Sequence, residues 1–410
     1  MLNELLDGGL GVSVYSKQGM ESIGIDVCVG YGILSEPRKA FGLAHFLEHM
    51  MFKGTAKRSC SEINDGLRRI GNNANAATMY EYTDYIIRCH KNYFETALGI
   101  ISDMLSNSTF EKEGLENERN TVLSEICKWE QDPNYLAGMQ TKVSLFEDER
   151  FGHMGQGDAG SVKSIQREDL CKAYAENYRA RNSHVAVYGA VDERTALKQV
   201  AEKFSGYSGG LKKANAPVTP RKVARRIRIE KGGTSDALVK LVFSTEGYGI
   251  HMKNIGKKVA TRIAAEILRH RLFSELRDKR GLSYSVGKGE DTCSSFGCTV
   301  FSAGTKKKSQ ELVKELMLKE CEKVERGEIS QEEVSDAAEA LFIQKAFAFE
   351  NTYDTARALS YFGFIGKPEL LDSSIAAIKE VSIDDVREAA SKYFKTGTCG
   401  IVELVPKADA

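Results

Sequence analysis

His45-Phe46-Leu47-Glu48-His49 lies in the run AFGLAHFLEHMMF, which has no helix breaker after Gly42. On a helix, residues four apart share a face, so His45 and His49 can present two imidazole nitrogens to one ion. Glu48 sits beside both and can reach a water on the metal without being a ligand. Two histidines, a carboxylate and an open water position make a catalytic zinc pattern. Zinc brings the pKa of its water toward neutrality, and the neighbouring carboxylate takes the proton. The competing reading is a packed helix whose Glu48 pairs with a charged neighbour.

A third donor is expected to be a carboxylate on another rigid element. Residues 111–130 read as a strongly charged helix with Leu115, Val122, Leu123 and Ile126 on its apolar side. Glu118 and Glu125 lie two turns apart, nearly on one stripe beside that face. Carboxylates so placed need a partner, and a dication is a good one. Arg119 or Lys128 could serve instead, and spacing alone does not rank Glu118 over Glu125.

The HFLEH motif, followed by FKGTAKRS, GNNANAATMYEYTDY and ENERNTVLSEI, resembles the pitrilysin family of inverted-motif zinc peptidases. The likeness is to its short two-domain branch, which includes the catalytic subunit of the mitochondrial processing peptidase and bacterial relatives. It extends over essentially the whole chain. It implies one Zn2+ per chain held by His45, His49 and Glu125, with Glu48 as general base and Glu118 orienting a ligand. It also implies that Asn75, Ala76 and Ala77 belong to a strand that pairs with an extended peptide substrate. In the second half, LRDKRGLSYSVG places Arg277 and Tyr284 where the family aims an Arg-Tyr pair at the substrate carbonyl. Both side chains can donate to a developing oxyanion. Without the resemblance, the same stretch reads as a helix end capped by Gly281 and a strand tyrosine packed on its sheet.

The resemblance further implies one half of a clamshell, with the Arg-Tyr pair serving a zinc site on the opposite half. A homodimer is therefore expected, or a heterodimer with a related subunit. The expected activity is an endopeptidase acting on unfolded peptides or oligopeptides. A specific presequence processor and a non-catalytic core-type scaffold subunit are the alternatives. The stretch CKWEQDPNYLAGMQ from Cys127 departs from the acidic presequence-recognition pattern of processing peptidases.

These residues need elements to hold them. Residues 205–222, SGYSGGLKKANAPVTPRK, interrupt all hydrophobic periodicity and divide the chain almost in half. The two halves repeat one another. SVKSIQREDLCKAYAENYRARNSHVAVYG from Ser161 parallels IAAIKEVSIDDVREAASKYFKTGTCGIVEL from Ile375. FEKEGLENERNTVLSEI from Phe110 parallels ISQEEVSDAAEALFIQK from Ile329, and HFLEHMMF parallels EILRHRLF from Glu266. The expected fold is α+β, with two homologous domains, each a mainly antiparallel sheet packed with helices. Residues 1–208 form the zinc-binding domain, 209–222 a linker, and 223–410 the domain carrying Arg277 and Tyr284. The repeat acts as a control for chemistry. His45 faces Glu266, Glu48 faces Arg269, Glu118 faces Ala337 and Glu125 faces Gln344, while His49 does face a histidine, His270; Leu47 and Phe52 persist as Leu268 and Phe273.

Lys plus Arg and Asp plus Glu both number 57, so no basic excess suggests nucleic acid. A local basic run, Arg221 to Arg228, reads as a solvated strand or linker edge. Nine cysteines at scattered spacings suit free thiols in a reducing compartment. No stretch has the length and apolarity of a membrane span. The expected location is the cytoplasm or a reducing organelle interior.

Overall fold

The computed structural model describes residues 1–213, 218–234, 236–249 and 255–407. The linker expected at 209–222 therefore lies partly outside the described residues. Eleven strands are present among them: β1 (Leu2–Leu5), β2 (Gly11–Ser16), β3 (Ser22–Val29), β4 (Ala74–Thr78), β5 (Thr83–His90), β6 (Ser183–Gly189), β7 (Arg226–Lys231), β8 (Asp236–Thr245), β9 (Ser283–Thr292), β10 (Gly297–Lys306) and β11 (Gly400–Pro406). They form two sheets, in the orders β1-β2-β6-β3-β5-β4 and β7-β11-β8-β10-β9.

Leaving out β1, the sheets have one topology. Strand β2 runs parallel to β6, as β7 does to β11. Every other pairing is antiparallel. The expected α+β fold of two similar, mainly antiparallel domains is the one observed.

Burial follows from the strand sequences. β3 (SIGIDVCV) and β6 (SHVAVYG) are apolar and buried along almost their whole length, as strands covered on both faces must be. β7 (RIRIEK) alternates, turning Arg226, Arg228 and Glu230 to solvent. Arg226 and Arg228 of the basic run thus lie on the charged outer strand of a sheet, a common guard against edge-to-edge pairing.

Contacts group the chain into two compact units, but not into its consecutive halves. One unit comprises residues 1–127, 153–216 and 346–371; the other comprises 128–152, 217–345 and 372–410. The division expected at 209–222 therefore omits an exchange. The helix Thr352–Phe364, from the second half, packs on β3 and β6 of the first sheet. The helix Pro133–Leu145, from the first half, packs on β8 and β11 of the second. Both helices start alike. Asp132 accepts from the backbone N–H groups of Asn134 and Tyr135, and Asn351 from those of Tyr353 and Asp354. The first exchanged helix approaches its sheet closely. A Cβ on Gly24 of β3 would lie 2.2 Å from the Thr352 carbonyl oxygen, so only glycine admits the contact. Arg357 then pairs with the buried carboxylate of Asp84 on β5.

Candidate metal centre

The first unit holds the helix Leu43–Met50, whose Ala44, Phe46, Leu47 and Met50 are fully buried. That packing leaves His45 and His49 on one flank, their ring centroids 4.5 Å apart. The helix Lys112–Gln131 buries Leu115, Val122 and Ile126. Arg119 locks the two helices together. Its guanidinium lies 5.2 Å from the Phe46 ring centroid, donates to the Val162 carbonyl and pairs with Glu116. Neither Arg119 nor Lys128 takes Glu118 or Glu125 as its ion-pair partner.

The two glutamates that spacing left unranked have different surroundings. Glu125 Oε2 lies 3.7 Å from His45 Nε2 and 3.7 Å from His49 Nε2. Those distances are too long for hydrogen bonds. They are close to the edge of a tetrahedron with zinc–ligand arms of about 2.1 Å, which is about 3.4 Å. The three side chains offer donor atoms within 4.8 Å of one another, and no other such group occurs among the described residues. Glu118 stands behind them. Its Oε1 meets His49 Nδ1 at 2.7 Å and its Oε2 meets Lys53 Nζ at 2.5 Å. A carboxylate on the far nitrogen fixes the tautomer that directs the other nitrogen at a metal. The donor set fits a zinc ion.

Electrostatics separates the roles further. In the metal-free protein, burial and then His49 push the His45 imidazole down to about 3, so it is a neutral donor. Burial also pulls His49 down, but its hydrogen bond to Glu118 and the surrounding carboxylates outweigh this and raise it. Burial works against the ionised form of Glu118 too. The bonds from His49 and Lys53 win, and its carboxyl sits below the usual range. Glu48 is buried with no cation bonded to it. Burial lifts it to about 7, against a 2.6 Å hydrogen bond that the Thr78 hydroxyl donates to its Oε2.

Thr78 ends β4, the outermost strand of the first sheet, which carries Asn75, Ala76 and Ala77 and pairs with β5 on one side only. The sequence reading did not anticipate Lys53 as a site residue, nor that Thr78, which follows Ala77 in the expected substrate strand, bonds Glu48. They lie in the motifs FKGTAKRS and GNNANAATMYEYTDY, but nothing in their spacing says which carboxylate each one meets.

Arg277 and Tyr284 belong to the second unit. Arg277 lies in the wide turn Ser274–Asp278 that ends the helix Ile255–Phe273, its guanidinium 4.9 Å from the Phe273 ring centroid. Gly281 has φ 61°, the left-handed conformation expected of a cap. Tyr284 is the second residue of β9 and is 88% exposed, so the reading that packs it on its sheet is wrong. The second unit also shows what replaces the metal donors. At the position of His45, Glu266 is buried and bonded to Arg269 and Lys288, with His270 Nε2 at 3.3 Å. Ion pairs occupy the place where the first unit gathers its donors.

Comparison with known proteins agrees with this asymmetry. Residues 12–152 match the family described as "Insulinase (Peptidase family M16)", and residues 164–341 match "Peptidase M16 inactive domain". An uncharacterized zinc protease of Rickettsia felis is 28% identical over 405 residues, covering 97% of this chain and 96% of the relative. An uncharacterized zinc protease of Mycobacterium leprae is 30% identical over 307 residues, covering 73% of this chain and 68% of the relative. Among solved structures, the peptidase M16 inactive domain from Pseudomonas fluorescens superposes with a TM-score of 0.88 at 20% identity, covering 99% and 98% of the two chains.

Proposed function

Because the chain belongs to the insulinase family of peptidases, M16, we propose that it is a zinc-dependent endopeptidase that hydrolyses unfolded peptides or oligopeptides. The observation carrying this reading is the meeting of His45 Nε2, His49 Nε2 and Glu125 Oε2, with Glu118 behind His49. Zinc, when bound by these three residues, supplies Lewis acidity and makes water acidic enough to be deprotonated near neutral pH. Glu48 removes one proton from the attacking water as its oxygen bonds to the carbonyl carbon, then delivers it to the amine as the C–N bond breaks. Thr78 holds Oε2 of Glu48, which leaves Oε1 for this transfer. The open side of β4 at Asn75, Ala76 and Ala77 aligns an extended backbone with little demand on side-chain identity.

In this reading Arg277 and Tyr284 of another copy donate to the developing oxyanion. The exposure of Tyr284 suits a partner outside its own unit. A homodimer follows, with a related second subunit as the alternative. Light scattering should give twice the 45.3 kDa chain mass, and an active monomer would exclude the shared site. No disulfide joins any of the nine cysteines, which suits a reducing compartment such as the cytoplasm. No helix among the described residues is long and apolar enough to cross a membrane.

The test joins zinc stoichiometry to cleavage of a peptide library. One zinc per chain and chelator-sensitive cleavage at many sites are expected. Glu48→Gln should lower kcat by at least about 100-fold while zinc stays bound. Undiminished turnover in that variant rejects the mechanism. A single defined cut would favour a presequence processor, and a zinc-free chain would favour a scaffold.

A further inference from the structure

Resting on the zinc-peptidase reading, we propose that Glu36 is a positioning residue for His45, holding the first turn of the helix that carries both histidines. The two imidazoles are supported unequally. His49 has Glu118 on its Nδ1, whereas no partner among the described residues reaches the buried Nδ1 of His45. The direction of the His45 ring is therefore set by its backbone and its packing.

That backbone lies in the first helical turn, where N–H groups lack intrahelical acceptors. Helices usually satisfy them with a Ser, Thr, Asp or Asn side chain at the N-cap. Here the N-cap is Gly42, with φ 90° and no side-chain cap. A Cβ at Gly42 would lie 2.4 Å from the Gln156 carbonyl oxygen, so no capping side chain can stand there.

Glu36 supplies the acceptors from six residues upstream. Its Oε2 accepts from the Gly42 N–H at 3.0 Å and its Oε1 from the Ala44 N–H at 2.7 Å. The Ala44 N–H belongs to the Leu43–Ala44 peptide, so the second bond fixes the turn one residue before the ligand. Only 5% of Glu36 is exposed. Burial lifts its carboxyl to about 8, although the two N–H groups favour the charge. Both oxygens face the helix terminus, whose positive end favours the carboxylate and so opposes the effect of burial. The Ser161 hydroxyl holds the segment before Gly42 from another side, donating to the Phe41 carbonyl at 2.6 Å. Losing Glu36 would free the first turn and the His45 ring, while His49 would keep its own support.

The experiment uses the full chain as wild type, Glu36→Gln and Glu36→Ala, with Tyr207→Phe as a control. The control removes the buried Ser183–Tyr207 hydroxyl bond, far from the donor set in sequence. Zinc affinity is measured by competition with a chromophoric chelator. Melting of the zinc-free protein and kcat and KM at saturating zinc are measured alongside. Zinc binding should weaken at least tenfold in Glu36→Ala and by less in Glu36→Gln, which keeps one acceptor oxygen. kcat should fall while KM holds. Tyr207→Phe should lower the melting temperature without changing zinc affinity. Zinc affinity within twofold of wild type in both Glu36 variants overturns the proposal. So does a loss no larger than in a Tyr207→Phe chain of equal melting temperature. If Glu36→Ala does not fold, the isosteric Glu36→Gln decides alone. A wild-type chain that binds no zinc would instead remove the peptidase reading itself, and these outcomes tell the two apart.

Discussion

Seven residues separate Glu118 from Glu125, and in sequence they are near-equivalents. Their neighbours divide them. Glu118 spends its two oxygens on the outer nitrogen of His49 and on Lys53, whereas Glu125, partly exposed, turns one oxygen toward both inner nitrogens. Helical periodicity explains why both carboxylates reach the same side, but it carries no information about which histidine atom each one meets. The His45-Glu48-His49 cluster was legible because four-residue spacing fixes a shared face. The contacts that Thr78, Lys53 and Glu36 make were not, since they depend on how separate elements pack. Removing the outer carboxylate should weaken the centre without abolishing it. Glu118→Gln is expected to reduce zinc affinity about 10- to 100-fold in a chelator competition, with zinc stoichiometry restored at high zinc. An unchanged dissociation constant would mean that His49 does not depend on Glu118.

The strands and caps were readable from local signals: β-branched runs in β3 and β6, alternation in β7, and Asp132-Pro133 before a helix. The sheet that each exchanged helix covers was not readable. Thr352–Phe364 and Pro133–Leu145 are counterparts in the repeat, and either amphipathic surface suits either sheet by pattern alone. Particular contacts make the choice, such as Gly24 beneath Thr352 and Arg357 on Asp84. The seam under Thr352–Phe364 also holds His184 of β6, whose Nε2 is 2.8 Å from the Ser13 hydroxyl oxygen of β2. Burial, and secondarily Lys212, lowers His184 to about 3 in the folded chain. An unfolded histidine titrates near 6.5, so the unfolded state takes up this proton first as pH falls. The group costs nothing above about pH 6.5 and progressively destabilises the fold from there toward about pH 3. At pH 5 the cost is about 2 kcal/mol. Urea unfolding of zinc-free protein should show this loss between pH 7 and 5, and His184→Gln should flatten it. An equally steep profile in that variant would assign the acid sensitivity elsewhere.

Across the whole chain, one plan is used twice and the candidate metal donors gather in one copy. The sheets share an order of strands, but His45 and His49 have counterparts in Glu266 and His270, and buried ion pairs fill the second copy. Duplication was visible in the sequence because apolar positions recur. The exchange of helices was not, because a repeat preserves the elements whichever copy they cover. A fragment ending at residue 208 keeps every metal donor and all six strands of the first sheet, but it loses Thr352–Phe364. It should expose the apolar face around β3 and β6, bind a hydrophobic dye and bind zinc poorly. A soluble, cooperatively melting fragment with full zinc affinity would contradict this.

The exchange also sets how damage late in the gene is felt. A stop codon just after residue 345 would spare His45, His49 and Glu125 and still strip the cover from the strands behind them. The proposed hydrolysis, whose candidate residues lie in the opening third of the message, would thus depend on the ribosome reaching codons near its end, and truncated products should be inert although those residues are all present.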